Sequence, residues 1–274
     1  MSKYNQHISC TISYTNSQSI TESVTVSTTR VPFVYDGIAS FDISGTVVLD
    51  LSPKVSLSAA ENPEQHFKAV TYTGQTTADA GTWNSGASTL TIAVGFKPDL
   101  VWTKGRSVDY DNIWHDTIRG VNKRIMSNLT NKEVTDTDAL TSFDSNGFTL
   151  GAEGGVNNSG TTYCAWCWKA GGSGADFMKD GEEDTSIATG GSITPDKMSV
   201  GTETGFSIIK YTGTGSNATI PHGLTKAPEF ILVKNTEASN SWAVYHVSVG
   251  ADKQLLLNDN GTISDDTNGF DQVP

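Results

Sequence analysis

The segment Pro98-Asp99-Leu100-Val101-Trp102-Thr103-Lys104 occurs twice, returning as Pro228-Glu229-Phe230-Ile231-Leu232-Val233-Lys234. One shift of 130 positions (98 to 228) also carries Gly120 onto Gly250, Lys123 onto Lys253 and Asn128 onto Asn258, with no gap across the span. Flanking pieces agree after small length changes: Tyr72-Thr73-Gly74 with Tyr211-Thr212-Gly213, and Asp144-Ser145-Asn146-Gly147-Phe148 with Asp266-Thr267-Asn268-Gly269-Phe270. A chain that repeats itself in this way is built from one structural unit used twice.

The repeated runs are short, apolar and β-branched or aromatic, entered by a proline and left by a lysine, which is the pattern of strands buried on both faces. Proline fits a strand's first position, where its missing N–H breaks no ladder bond. The Asn-Gly pairs before Phe148 and Phe270 mark turns. Each copy therefore reads strand, loop, strand, turn, strand. After Phe148, residues 149–151 and 162–169 are expected to form a hairpin about Asn157-Asn158-Ser159-Gly160.

Residues 1–66 have no counterpart elsewhere and read as alternating strands over 7–14, 20–29 and 33–51. So small a β region buries too little surface to be self-sufficient, and a partner surface or a homo-oligomer is the expected remedy. Ser52-Pro53-Lys54 and Glu61-Asn62-Pro63-Glu64 read as a linker. The first repeat then spans 67–204, including a Gly- and acid-rich connector from Gly171 to Gly201 expected to be a flexible or surface segment. The second spans 205–274 and lacks a match to the 162–169 strand; another chain supplies that strand, or the sequence is a cut of a longer one.

Composition agrees with an all-β class: of 274 residues, 36% are hydrophobic and only 18% charged, which suits strands joined by polar turns over helix bundles. The formal net charge of −12 argues against nucleic acid as a partner, since phosphate binding needs clustered Lys and Arg. No run is long and apolar enough for a membrane-spanning helix, so no membrane insertion is expected, and Met1-Ser2-Lys3-Tyr4-Asn5 is not followed by a signal-peptide core. The sequons at Asn128, Asn157 and Asn217 therefore carry no weight.

Candidate chemical sites resolve into structural readings. Cys164 and Cys167 have C-x-x-C spacing, but no second pair accompanies them. In a strand they point to opposite faces with Cα atoms roughly 10 Å apart, beyond the ~7 Å reach of a disulfide, so both read as buried free thiols. The carboxylates at Asp176, Asp180, Glu182, Glu183 and Asp184 lack the Asp-x-Asp-x-Asp-Gly order of a calcium loop. Asp144 and Asn146, like Asp266 and Asn268, read as side-chain-capped turns. There is no Gly-x-Ser-x-Gly; Ser207 and Lys210 sit at a spacing that separates them on a strand, and His7, His66, His115, His222 and His246 form no ligand-spaced cluster. Gly213 and Gly215 lack the third glycine of a phosphate loop. The expectation is a non-enzyme with no catalytic, cofactor-binding or metal residues and no cofactor.

The combination of Val94-Gly95-Phe96-Lys97-Pro98-Asp99-Leu100-Val101-Trp102, Arg119-Gly120, Phe143-Asp144-Ser145-Asn146-Gly147-Phe148-Thr149-Leu150-Gly151 and Tyr163-Cys164-Ala165-Trp166-Cys167-Trp168-Lys169-Ala170-Gly171 resembles a repeat module of tailed-phage virion proteins, frequent in phages of cyanobacteria and other aquatic bacteria and either uncharacterised or tail-fibre-like. The resemblance covers residues 67–274 and brings no catalytic residues with it. It implies a structural or adhesive virion component, assembled in the host cytoplasm, whose two tandem repeats are jelly-roll or sandwich-like and lectin-like. Residues 1–66 would then dock on other virion proteins while the repeats project as a tail fibre or other appendage, in a homo-oligomer with a trimer favoured. Two alternatives stand beside it. One is a carbohydrate-binding host-adhesion module whose exposed aromatics, Trp83, Tyr110, Trp114 or Trp242, stack on a host surface glycan; the other is a capsid decoration or head-fibre protein.

Overall fold

The computed structural model describes residues 8–15 and 21–28 by their backbone, and residues 63–75, 89–261, 263–265 and 270. The expected third N-terminal strand (33–51), the linker at 52–54, Trp83 and the turn at Asp266 to Gly269 lie outside the described residues. The chain divides into two compact units, Met1–Glu61 and Asn62–Pro274. In the first, β1 (Ile8–Thr15) and β2 (Thr21–Thr28) form an antiparallel pair from Ile8 opposite Thr28 to Thr15 opposite Thr21, close to the first two expected strands.

The second unit is all-β. Its largest sheet has the order β3-β11-β5-β6-β7-β8, built from β3 (Phe67–Thr73), β5 (Leu100–Gly105), β6 (Ile113–Asp116), β7 (Lys123–Met126), β8 (Val134–Thr135) and β11 (Thr162–Trp168). Against one face lies the smaller sheet β4-β10-β9, from β4 (Leu90–Ala93), β9 (Leu140–Asp144) and β10 (Gly147–Leu150). Alternation supplies the core between them: Val101, Ile113, Met126, Ala165 and Cys167 from the large sheet meet Ile92, Leu140, Phe148 and Leu150 from the small one. The opposite face of β11, β5 and β6 carries Trp166, Trp102 and Trp114 in register.

The hairpin expected between 149–151 and 162–169 does not form. β10 pairs with β4 and β9, whereas β11 pairs with β3 and β5, and the short helix α1 (Gly154–Asn157) turns the chain from one sheet to the other. Both segments alternate, and alternation alone does not say which strands pair. The turn before Phe148 is present, with Ser145 and Asn146 as its two loop residues. Gly147 is needed for a different reason: a Cβ there would sit 1.9 Å from the Ile92 carbonyl oxygen on β4.

The connector is folded. β12 (Phe177–Lys179), β13 (Glu182–Glu183), β14 (Lys197–Gly201) and β15 (Phe206–Lys210) form the sheet β13-β12-β14-β15, with Met198 and Val200 fully buried beside Ile187 and Ala188. The glycines of this stretch read as a loop, but Met198 and Val200, two apart on β14, meet Ile187 and Ala188 and build a small core.

Four strands of the repeat are reproduced in order. The meander β5 to β8 recurs as β16 (Phe230–Val233), β17 (Ala243–His246), β18 (Lys253–Leu256) and β19 (Ser264–Asp265), each starting 130 residues after its counterpart (100 to 230, 113 to 243, 123 to 253, 134 to 264). Register is kept too: Val101 opposite His115 becomes Ile231 opposite Tyr245, and Trp114 opposite Ile125 becomes Val244 opposite Leu255. The tight turn after β6 is copied down to its bonds. Gly120 and Gly250 share a φ of 97°, and their N–H groups donate to the carbonyls of Asp116 and His246 at 3.1 and 3.2 Å. Asn128 and Asn258 each accept, through Oδ1, a backbone N–H from Asn112 and Trp242 at 2.8 and 2.7 Å.

Candidate functional site

Two constellations stand out, an aromatic row on the outer face of the large sheet and a buried ionic network behind it. The row follows from strand register. Trp166 faces Trp102 across β11 and β5 with ring centroids 5.1 Å apart, and Trp102 faces Trp114 across β5 and β6 at 5.3 Å. Trp168 extends it toward Phe67 at 4.9 Å and toward Phe206 of β15 at 6.3 Å. At the other end Trp242 meets Trp114 edge-on at 5.1 Å, and its indole N–H donates to the Met126 carbonyl at 2.9 Å. Both ends of the row are thus closed by residues of the second repeat. The chemistry available here is packing: the Nε1 atoms of Trp102 and Trp114 are buried and have no hydrogen-bond partner among the described residues.

The four aromatics expected to stack on a sugar are dispersed. Trp242 is only 2% exposed, a correction to its expected place on the surface. Trp114 is half-buried in the row, enclosed between Trp102 and Trp242. Tyr110 stacks at 6.3 Å on Tyr163, which projects from the other face of β11, and its hydroxyl accepts from Asn158 Nδ2 at 3.2 Å. Trp83 lies outside the described residues. The structure brings Trp114 and Trp242 together and separates Tyr110 from both.

The ionic network centres on two arginines. Arg119 Nε donates to Asp116 Oδ2 at 2.6 Å, with both side chains 7% exposed, and its other nitrogens reach the Trp114 carbonyl at 3.1 Å and Glu133 Oε2 at 3.5 Å. Arg124 pairs with Asp136 at 3.0 Å and Glu153 at 3.2 Å. Burial raises the Glu153 carboxyl, opposed by Arg124. Between the arginines lies His115, fully buried, with neither ring nitrogen hydrogen-bonded among the described residues. Burial, helped by Arg119 and Arg124, pushes its pKa down to about 3, so the ring is neutral at physiological pH. Sequence reading missed this cluster. The signal was in the repeat: the second copy has Tyr245, Val249 and Gln254 where the first has His115, Arg119 and Arg124.

A third buried acid, Asp99 (1% exposed), ties the end of β11 to β5 by accepting from the N–H groups of Ala170 and Gly172 at 2.8 and 3.1 Å and from Thr117 Oγ1 at 3.1 Å. Burial raises its pKa, and those three bonds oppose the rise. Its counterpart Glu229 is exposed.

A family model for a domain of unknown function, DUF7483, matches residues 62–273. The chain belongs to the DUF7483 family. The DUF7483 match begins where the second compact unit begins, at Asn62, and leaves the β1–β2 pair outside. No curated protein and no solved structure matches the chain.

Within the DUF7483 region the cysteines lie as expected on opposite faces of β11, Cys167 buried and Cys164 half-buried, with burial pushing the Cys167 thiol up to about 12 and raising Cys164 as well. The connector acids serve as partners for neighbouring groups. Asp176 pairs with Lys197 at 2.9 Å, Asp180 accepts from Thr202 N at 2.7 Å, and Asp184 accepts from Ser186 N at 2.9 Å. Asp144 accepts from the hydroxyls of Ser142 and Thr149, both at 2.7 Å, bracing the β9–β10 turn. Among the described residues no group of three or more His, Cys, Asp or Glu is placed to hold a metal ion, and no helix is long and apolar enough to cross a membrane.

Proposed function

We propose that this protein is a non-enzymatic structural component of a bacteriophage virion, a tail fibre or similar appendage, in which residues 1–61 dock on other virion proteins and the DUF7483 region forms two tandem sandwich-like modules. The observation that carries this reading is the meander β5 to β8 recurring as β16 to β19 at one 130-residue shift and one register (100 to 230). Copying a module extends a body, and the copies here are fastened together by Trp242, by the Thr236 carbonyl accepting from Glu133 N at 3.0 Å and by Lys234 Nζ donating to the Thr130 carbonyl at 3.1 Å. The buried charged groups support it as well, because Arg119, Arg124, Asp116, Asp136 and Glu153 engage one another. The sequence resemblance to tailed-phage virion modules supplies the setting. A glycan-binding role draws less support, since Trp242 is enclosed.

The test is location. Antibody labelling of purified particles of a phage that encodes the chain, viewed by electron microscopy, is expected to mark a tail or other appendage; particles without label and without the chain by mass spectrometry would refute the reading. Labelling of the head surface would point to a capsid decoration protein.

A further inference from the structure

The end of the sandwich where β4 leads into β5 gathers residues from several parts of the chain. Val94 N and Gly95 N donate to the Asn146 carbonyl at 2.7 and 3.3 Å, which ties the β9–β10 turn to the segment after β4. Asp99 N donates to the Trp168 carbonyl at 2.8 Å and Lys169 N to the His66 carbonyl at 2.7 Å, which brings the end of β11 and the start of β3 alongside. A cleft of about 430 Å³ results, lined by Gln65, Gly95, Phe96, Lys97, Ser145 and Lys169. Lys97 also lines a second cleft of about 320 Å³, together with Ser173. Volumes of this size suit a small ligand.

The charge of this cleft sets it apart. Lys68, Lys104, Lys123, Lys179, Lys197 and Lys253 each pair with a carboxylate. Lys97 and Lys169 pair with none among the described residues, although the chain carries a formal net charge of −12. The neighbouring acids are engaged elsewhere: Asp99 accepts from Ala170, Gly172 and Thr117, and Asp144 from Ser142 and Thr149. The Lys97 ammonium donates instead to Ser173 Oγ at 2.9 Å, with the rest of its three N–H bonds uncommitted among the described residues. Nor does the strand path require this lysine. The shift that carries Pro98 onto Pro228 carries Lys97 onto Ala227.

From this we infer that the cleft between Lys97 and Lys169 is a binding site for a small ligand bearing a carboxylate, sulfate or phosphate group. The two ammonium groups supply charge-assisted hydrogen bonds to its oxygens. The Ser145 hydroxyl and the Gln65 side-chain amide both donate and accept, so they suit neutral polar groups beside the charged one. A polyanion such as nucleic acid is a poor match, because it needs a run of cations and the net charge of −12 repels it. A compact anion needs only the pair. Every lining residue belongs to one chain and to the DUF7483 region, so binding requires neither an oligomer nor a virion.

The test titrates the full chain with sodium glucuronate, sodium phosphate and glucose at constant ionic strength, read by amide chemical shifts in NMR. The amides of Gly95, Lys97, Ser145 and Lys169 are expected to shift and saturate over the millimolar range with glucuronate, with phosphate or with both, and to ignore glucose. Response to glucuronate alone assigns the site to carboxylate-bearing sugars, and response to phosphate alone assigns it to phosphate. Lys97→Met and Lys169→Met should each weaken binding on the order of 10-fold, the worth of one charge-assisted hydrogen bond. Lys97→Arg, which keeps the charge, and Lys226→Met, which removes an exposed lysine outside the cleft, should bind like wild type. The site is refuted if neither anion gives saturable shifts at these amides, if glucose shifts them equally, or if Lys226→Met weakens binding as much as Lys97→Met.

Discussion

The indole N–H of Trp242 in the second repeat donates to the main-chain carbonyl of Met126 in the first, 2.9 Å away, while its ring meets Trp114 edge-on. In the first repeat this position is Asn112, so the fastening belongs to one copy only. Trp242→Ala should destabilise the DUF7483 region by about 3–5 kcal/mol through loss of a buried ring. Trp242→Phe should cost about 1–3 kcal/mol, the penalty for orphaning the Met126 carbonyl. Urea unfolding followed by tryptophan fluorescence measures both, and equal costs for the two variants would show that the ring contributes nothing beyond the bond.

Arg119 is held by Asp116, Glu133 and the Trp114 carbonyl, in a site where its own side chain and that of Asp116 are each 7% exposed. Removing one partner of a buried ion pair strands the other, so Arg119→Ala should cost about 3–5 kcal/mol. Val249→Ala, at the equivalent place in the second repeat, should cost much less. The same unfolding assay compares them.

His115 gives the fold a defined acid response. Its folded pKa of about 3 lies below the ordinary value of 6.5, so the folded state binds fewer protons than the unfolded one between these limits. Its contribution is therefore present above pH 6.5 and is lost as pH falls toward 3, by at most about 5 kcal/mol. Asp99 and Glu153, raised by burial, act with the opposite sign, contributing fully at low pH and losing their contribution as pH rises through their folded pKa values. Comparing wild type with His115→Leu isolates the histidine: the variant should match or exceed wild-type stability at pH 7 and lose less between pH 6.5 and 4. Parallel stability curves would refute the assignment.

The thiols should separate by reactivity. Cys167, buried and pushed up to about 12, is expected to resist a thiol reagent at pH 8 until the protein unfolds, while half-buried Cys164 reacts measurably faster. Mass spectrometry of the labelled, digested protein reads each site. Metal analysis should find no stoichiometric zinc, because the two sulfurs lie on opposite faces of β11.

The all-β class and the second copy of the strand path were legible because identity at 98/228, 104/234, 120/250 and 128/258 is carried by residues with fixed local jobs: a strand-entry proline, a strand-end lysine, a positive-φ glycine and a turn-capping asparagine. What sequence did not yield was pairing. Residues 149–151 and 162–169 alternate equally well, and only the packing of Phe148 and Leu150 against Ile92 assigns the first to the small sheet. The connector misled because glycine and acid content masked Met198 and Val200. The expected exposure of Trp242 was misread for a related cause. A tryptophan reads the same in sequence whether it faces water or another tryptophan, and Trp242 faces Trp114.

The central claim is that residues 1–61 carry attachment while the DUF7483 region is a separate folded body. Light scattering on the full chain and on a chain beginning at residue 62 tests it most directly. The account predicts that the full chain is an oligomer, with a trimer favoured, and that the shortened chain is a folded monomer that unfolds cooperatively and no longer joins purified virions. A shortened chain that keeps the full chain's oligomeric state and still joins the particle would contradict it and place attachment in the repeats themselves.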